Sequence, residues 1–248
     1  MFHMCALTTN FAAAATDGDL NAVTDQHLTV SASNKFILPY PADILAAVAL
    51  GATLSRARIV APSLRSVNFP NIRPIIVGAA IPTRPPVSEF MQSHTPRVRL
   101  NEELNIQVTN GAIERGTGFL WLQKQYQPPP PGPVYSARFT AAITGSAFQW
   151  DSGSITQVDT LPSGRYSVIG MSCHGANLMA ARLIFPEGGP RPGVLANVQA
   201  ADTDENRWRD GRYGEFGQFE QTALPLLELF KSAAGVTQEL TLDLVKLS

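Results

Sequence analysis

The chain reads as an all-β protein of two tandem antiparallel modules, and three observations predict this. Short apolar runs with the two-residue alternation of strands recur along its length. Prolines, glycines and Asn-Gly-type dipeptides punctuate those runs, so the strands they predict are short and the loops long. Pro128-Pro129-Pro130-Pro131-Gly132-Pro133 then cuts the chain almost at its midpoint. Each proline lacks a backbone donor and holds φ near about −65°, so the run makes a stiff extended spacer and neither strand nor helix. The expected layout is an N-terminal arm over 1–26, a first module over 27–127, the linker over 128–133, and a second module over 134–248.

Composition narrows the partners. Hydrophobic residues make up 44% of the 248 and charged residues only 16%. The second figure is below the roughly 25% of an average soluble domain, so much of the surface is expected to meet other protein. A net charge of −1 leaves no cationic excess to neutralise phosphates, which argues against nucleic-acid packaging by the body of the chain. Two cysteines, Cys5 and Cys173, are no disulfide framework. Met1 to Ala15 lacks a basic segment and a sustained apolar one, so no secretory signal is expected there. The longest apolar candidate, Ile44 to Leu54, is too short to span a bilayer.

Residues 1–26 are small, polar and alanine-rich without a clear period, and read as an arm that orders only against a neighbour. From His27, Leu28, Val30 and Ala32 alternate with polar residues, and Phe36-Ile37-Leu38 runs into Pro39, giving one or two short strands. Asp43 to Leu50, following Pro41 and preceding Gly51, predicts a short helix with proline in its first turn. Val98 and Leu100, then Leu104, Ile106 and Val108, predict two strands or one bent one before a turn at Asn110-Gly111. Phe119-Leu120-Trp121-Leu122 suits a strand buried on both faces.

Past the spacer, strands are expected over Tyr135 to Thr144, Ala147 to Trp150, Arg165 to Gly170, Leu178 to Phe185, Val194 to Val198 and Leu226 to Phe230. The alternating Leu240, Leu242 and Leu244 form the last. Asp202 to Gly217 has no hydrophobic period and reads as a long surface loop. The two halves can be overlaid at an offset of 122 residues: Leu104 meets Leu226, Val108 meets Phe230, and Leu120 and Leu122 meet Leu242 and Leu244. Both halves then end in strand, tight turn and strand, an internal repeat.

Chemistry-bearing groups are sparse. Cys173-His174 pairs a thiol with an imidazole, but strand neighbours point to opposite faces, which suits no dyad. Histidines 3, 27, 94 and 174 have no metal-ligand spacing, and no nucleophile elbow, phosphate loop or dinucleotide fingerprint occurs. No catalytic, cofactor or metal residues are therefore expected. Asp202 and Asp204 sit at alternating positions as in calcium loops, yet Arg207 stands where the loop needs glycine, so a solvated acidic loop is expected. Arg207, Arg209 and Arg212 interleave with Trp208, Tyr213, Phe216 and Phe219. That composition is enriched at protein interfaces, and these seven residues are the candidate interface.

Taken together, the arm, the short helix at Asp43 to Leu50, the PPPPGP spacer, two strand-rich halves and the large loops at Pro62 to Pro96 and Ala200 to Phe219 resemble a double jelly-roll major capsid protein of an icosahedral virus. More narrowly, the size is similar to that of the compact coat proteins of membrane-containing bacteriophages. The resemblance implies two tandem antiparallel jelly-roll β-sandwiches, homotrimers that act as pseudo-hexamers in a larger shell, and contact with other virion proteins. It also implies a virion location after synthesis in the host cytoplasm, with the arm reaching toward an inner membrane or a neighbouring capsomer. No catalysis and no specific nucleic-acid contact are implied. With a 26-residue arm, 248 residues leave barely enough chain for sixteen strands. The competing reading is a tandem β-sandwich carbohydrate-binding or host-attachment protein, with Trp121, Trp150 and Trp208 as stacking platforms.

Overall fold

In the computed structural model, which describes residues 2–67, 69–72, 74–76, 88–90, 94–196, 208–235 and 237–248, the chain is built of antiparallel sheets. It divides into two compact units. One is Met4–Lys124; the other is Gln125–Ser248 together with Phe2 and His3.

In the first unit the strands run β1 (Phe2–Phe11), β2 (Ala15–Asp19), β3 (Asn21–Ala22), β4 (Thr29–Val30), β5 (Phe36–Ile37), β6 (Ala42–Gly51) and β7 (Leu54–Val60). A short 3-10 turn over Pro62–Val67 follows. Then come β8 (Asn71–Ile72), β9 (Pro74–Ile76), β10 (Ser88–Glu89), β11 (Arg97–Val98), β12 (Glu103–Asn110) and β13 (Glu114–Gln123). One sheet orders its main strands β1-β13-β6, with β9, β10 and β11 along the far edge of β6. The other places β2 and β7 against β12, with β8 beyond β7.

Counting the eight main strands in chain order, B to I, as β1, β2, β6, β7, β8, β11, β12 and β13, the sheets read B-I-D-G and C-H-E-F. That is the strand order of a jelly roll. Its core joins both sheets: Leu7, Ile44, Ala47, Leu120 and Leu122 from one, Leu54, Ile59, Leu104, Ile106 and Val108 from the other.

The second unit repeats the order. Its strands are β14 (Val134–Ala141), β15 (Trp150–Ser154), β16 (Thr156–Gln157), β17 (Arg165–Gly175), β18 (Leu178–Ile184), β19 (Gly193–Leu195), β20 (Gly217–Glu220), β21 (Leu226–Lys231) and β22 (Gln238–Lys246). The sheets are β14-β22-β17-β20, with β16 outside β14, and β15-β21-β18-β19. Again these read B-I-D-G and C-H-E-F, so sixteen main strands do fit. The 122-residue offset maps β12 onto β21 and β13 onto β22, the H and I strands of the two rolls. Val108, Phe230, Leu120, Leu122, Leu242 and Leu244 are buried at matched positions; Leu226 alone breaks the match, 40% exposed where Leu104 is buried.

Two expectations are corrected. Asp43 to Leu50 is not a helix but the interior of strand β6, whose residues pair with Thr117 to Gln123 of β13. Ile44 to Leu50 is apolar on every side and has no helical stripe, and between two neighbouring strands all of it is buried, so packing overrides alanine's helix preference. The stretch 2–22 is not a loose arm either. It contributes β1, β2 and β3, and Phe2, Met4, Cys5, Ala6 and Leu7 are fully buried. The small side chains that made it look featureless are what a strand buried on both faces can hold.

Candidate functional site

The segment singled out for its arginines and aromatics begins, among the described residues, at Trp208; Arg207, Asp202 and Asp204 lie outside them. Glycines shape it. Gly211 and Gly214 have φ of +70° and +81°, a left-handed backbone that a side chain disfavours. The turn they make is tied down by main-chain bonds: Gly211 N–H donates to Ile169 O at 2.9 Å and Phe216 N–H to Val168 O at 2.8 Å. Glu215 N–H donates to Gln127 O at 2.9 Å, which fastens the entrance of the proline linker to its own unit. The linker residues lie in neither strand nor helix, with a bend at Pro131-Gly132.

Those bonds fold the aromatics inward, which corrects the interface reading. Trp208, Tyr213, Phe216 and Phe219 are all buried. Trp208 and Tyr213 stack at 4.9 Å, and Phe2 meets Phe216 edge to face at 4.7 Å. Phe219 stacks on Tyr166 at 5.9 Å from the neighbouring strand. Arg209 forks onto the buried Asp243 carboxylate and reaches Ser136 Oγ at 3.0 Å, so its charge is spent inside the unit. Of the six described residues only Arg212 is exposed, its guanidinium 5.7 Å from the Tyr213 ring centre. An arginine-aromatic segment has the same composition whether it covers its own core or a partner's, and the sequence carries no signal to separate the two.

Sequence reasoning missed a second cluster in the same unit. Glu228 on β21 lies between two buried arginines: Arg182 Nε donates to Oε2 and Arg191 Nη1 to Oε1, both at 2.6 Å. Arg182 also lies over the Trp150 ring, 4.0 Å from its centre. The Arg191 backbone N–H donates to His3 Nδ1 at 2.9 Å. Lys231, fully buried, donates to Ile143 O at 2.8 Å. The signal was present as charged residues inside the apolar runs Leu178 to Phe185 and Leu226 to Phe230, where a buried charge demands a partner. A carboxylate saturated by two guanidinium groups acts as a structural tie between β18, β21 and the segment at 190–192.

The remaining chemistry-bearing groups are held structurally. Cys5 and Cys173 are buried free thiols. Burial pushes the Cys173 thiol up to about 12, far from a reactive thiolate. Beside it on β17, His174 faces Glu239 of β22 at 3.3 Å. No group of three or more metal-ligating side chains converges among the described residues. Trp121 and Trp208 are buried and offer no open ring face for sugar stacking, while Trp150 is half-buried with Arg182 over one face.

These features define an all-β protein of two antiparallel units, each with the strand order of a jelly roll. No family model and no curated protein matches it. Among solved structures it is similar to the major capsid protein P2 from bacteriophage PM2, at 8% identity over 100% of this chain and 98% of that one, with a TM-score of 0.24. It is also similar to a Paenibacillus xanthan lyase, at 12% identity over 100% of this chain but 25% of the lyase, with a TM-score of 0.23. Neither superposes closely enough to carry an argument about this chain.

Proposed function

We propose that the chain is a structural coat protein that tiles the icosahedral shell of a virus as trimers, and not an enzyme. One observation carries this reading: the B-I-D-G and C-H-E-F strand order occurs twice in one chain, on either side of a proline linker. A jelly roll hides most strand edges between two packed sheets and leaves its end loops free for lateral contact. Two rolls per chain make six per trimer, a pseudo-hexagonal tile that packs against its own copies. The low charged fraction, 16%, supports a surface largely spent on protein contact. In this reading the partners are copies of the chain and other virion proteins, and the location is the virion after synthesis in the host cytoplasm.

Light scattering of the purified chain from micromolar to near-millimolar concentration tests it. The expected species has about three times the 26.7 kDa chain mass, or is a larger assembly. A monomer across the whole range overturns the proposal. Electron microscopy of the source material should show icosahedral particles containing the chain.

A further inference from the structure

We propose that the first unit carries a small-molecule site, a cleft of about 440 Å³ on the outer face of the β2-β12-β7-β8 sheet that binds an amphiphilic monocarboxylate. The inference is independent of the coat reading.

Asn105 marks the site. In β12, Leu104, Ile106 and Val108 point into the core, so strand alternation puts Glu103, Asn105 and Gln107 on the opposite face. An asparagine there would ordinarily meet water, yet Asn105 is only 1% exposed. Its Oδ1 accepts the Ile106 backbone N–H at 2.8 Å, which leaves the side-chain NH₂ as the free donor. Among the described residues Asn105 Nδ2 has no hydrogen-bond partner. A buried amide donor without an acceptor is destabilising, a deficit that a ligand oxygen in the adjoining cleft would remove.

The cleft that Asn105 lines is otherwise walled by Val60, Ala61, Pro62 and Phe69. Those walls suit an aliphatic tail, and the volume lies in the range of small-ligand pockets. Phe69 is held at φ +50°, a strained setting for a bulky residue and one that collects at ligand clamps.

Charge at the rim selects the head group. Arg65 lines the cleft, is exposed, and has no ion pair among the described residues. Lys35 lies 3.4 Å from Asp19 and also faces the Glu103 carboxylate, which accepts from Ser33 Oγ at 2.8 Å and keeps its negative charge, so the Lys35 charge is offset. The unspent charge is the Arg65 guanidinium, whose planar fork fits a carboxylate. Head group at Arg65 and Asn105, tail along Val60, Ala61 and Phe69, describes a carboxylate with an aliphatic chain of about six to ten carbons.

The test titrates the ¹⁵N-labelled full chain with sodium octanoate and follows the Asn105 side-chain amide. Expected is a saturable shift of that amide, with affinity lowered about tenfold or more in Arg65→Ala and in Asn105→Leu. Octanol, with the same tail and no charge, should bind at least about tenfold more weakly. Absence of a saturable shift in the wild-type chain overturns the site, because water alone then fills the cleft. Equal binding of octanol, or unchanged affinity in Arg65→Ala, overturns the carboxylate assignment. Arg65 is exposed, so that variant reports even if Asn105→Leu fails to fold.

Discussion

Gly214 stands directly against the Gln127 carbonyl: a Cβ at position 214 would lie 2.1 Å from that oxygen. The contact joins the arginine-aromatic segment to the start of the proline linker inside one unit. It also makes Gly214 irreplaceable on two counts, since the position needs φ of +81° as well as the space. Gly214→Ala should cost at least about 2 kcal/mol. Amide exchange at Glu215, which donates to Gln127 O, should accelerate along with the drop in urea midpoint. Unchanged exchange at Glu215 would show that the linker is not fastened there.

Glu228 gives the sharpest energetic contrast. Its carboxylate is shared by Arg182 and Arg191, and all three side chains are buried. Glu228→Gln keeps the shape but removes the buried negative charge that the two guanidinium groups share, and should cost about 3–5 kcal/mol. Replacing all three with apolar residues of similar volume should cost less than that single change, because the desolvation penalty goes with the charges. Denaturation of the two variants side by side checks the order; a triple variant weaker than Glu228→Gln would mean that the ions stabilise beyond their mutual neutralisation.

How far the sequence shows the fold depends on what each strand faces. Strands whose apolar and polar residues alternate, such as Leu240 to Leu244 of β22, announce themselves by that period even where the polar Asp243 is buried. The turn at Asn110-Gly111 and the proline linker are equally legible, because their backbone chemistry is local. Strands β1 and β6 are not, since burial on both faces erases the period: Ile44 to Leu50 then looks like a helix and Phe2 to Leu7 like nothing regular. The candidate site failed for a different reason. Trp208, Tyr213 and Phe216 meet Phe2, more than two hundred residues away in sequence, and no local pattern encodes that partner.

Alkaline pH should weaken the fold in a definite direction. Burial raises the Cys173 thiol to about 12 and pushes the Tyr40 hydroxyl well above its usual range, the latter helped by the nearby Cys5 and Asp25. Both groups ionise more readily in the unfolded chain, so the stability they confer is complete below the ordinary thiol and phenol values. It is lost as pH rises through about 9 and 10 toward the folded-state values. The urea midpoint should therefore fall above pH 9, and Cys173→Ala should flatten the first part of that fall. By the same burial, iodoacetamide at pH 8 should leave Cys173 unmodified in the native chain and modify it in guanidinium.

The N-terminal strand supplies the last test, because Phe2 groups with the second unit while the chain from Met4 onward belongs to the first. Phe2 is fully buried, meeting Phe216 at 4.7 Å, Tyr213 at 6.0 Å and Trp208 at 6.4 Å. One residue on, His3 Nδ1 accepts from Arg191, so the start of the chain is held by an aromatic cage and a hydrogen bond together. Truncating a buried phenylalanine removes transfer energy and leaves a cavity, so Phe2→Ala should cost about 3–5 kcal/mol. Phe2→Leu, which keeps most of the volume, should cost less than half as much. A disordered arm would predict no effect from either substitution. The fluorescence of Trp208, which sits against Phe2, reports the change at the site itself: a red shift in Phe2→Ala and little in Phe2→Leu is the expected pair of results, and equal spectra would return the N-terminus to a dispensable arm.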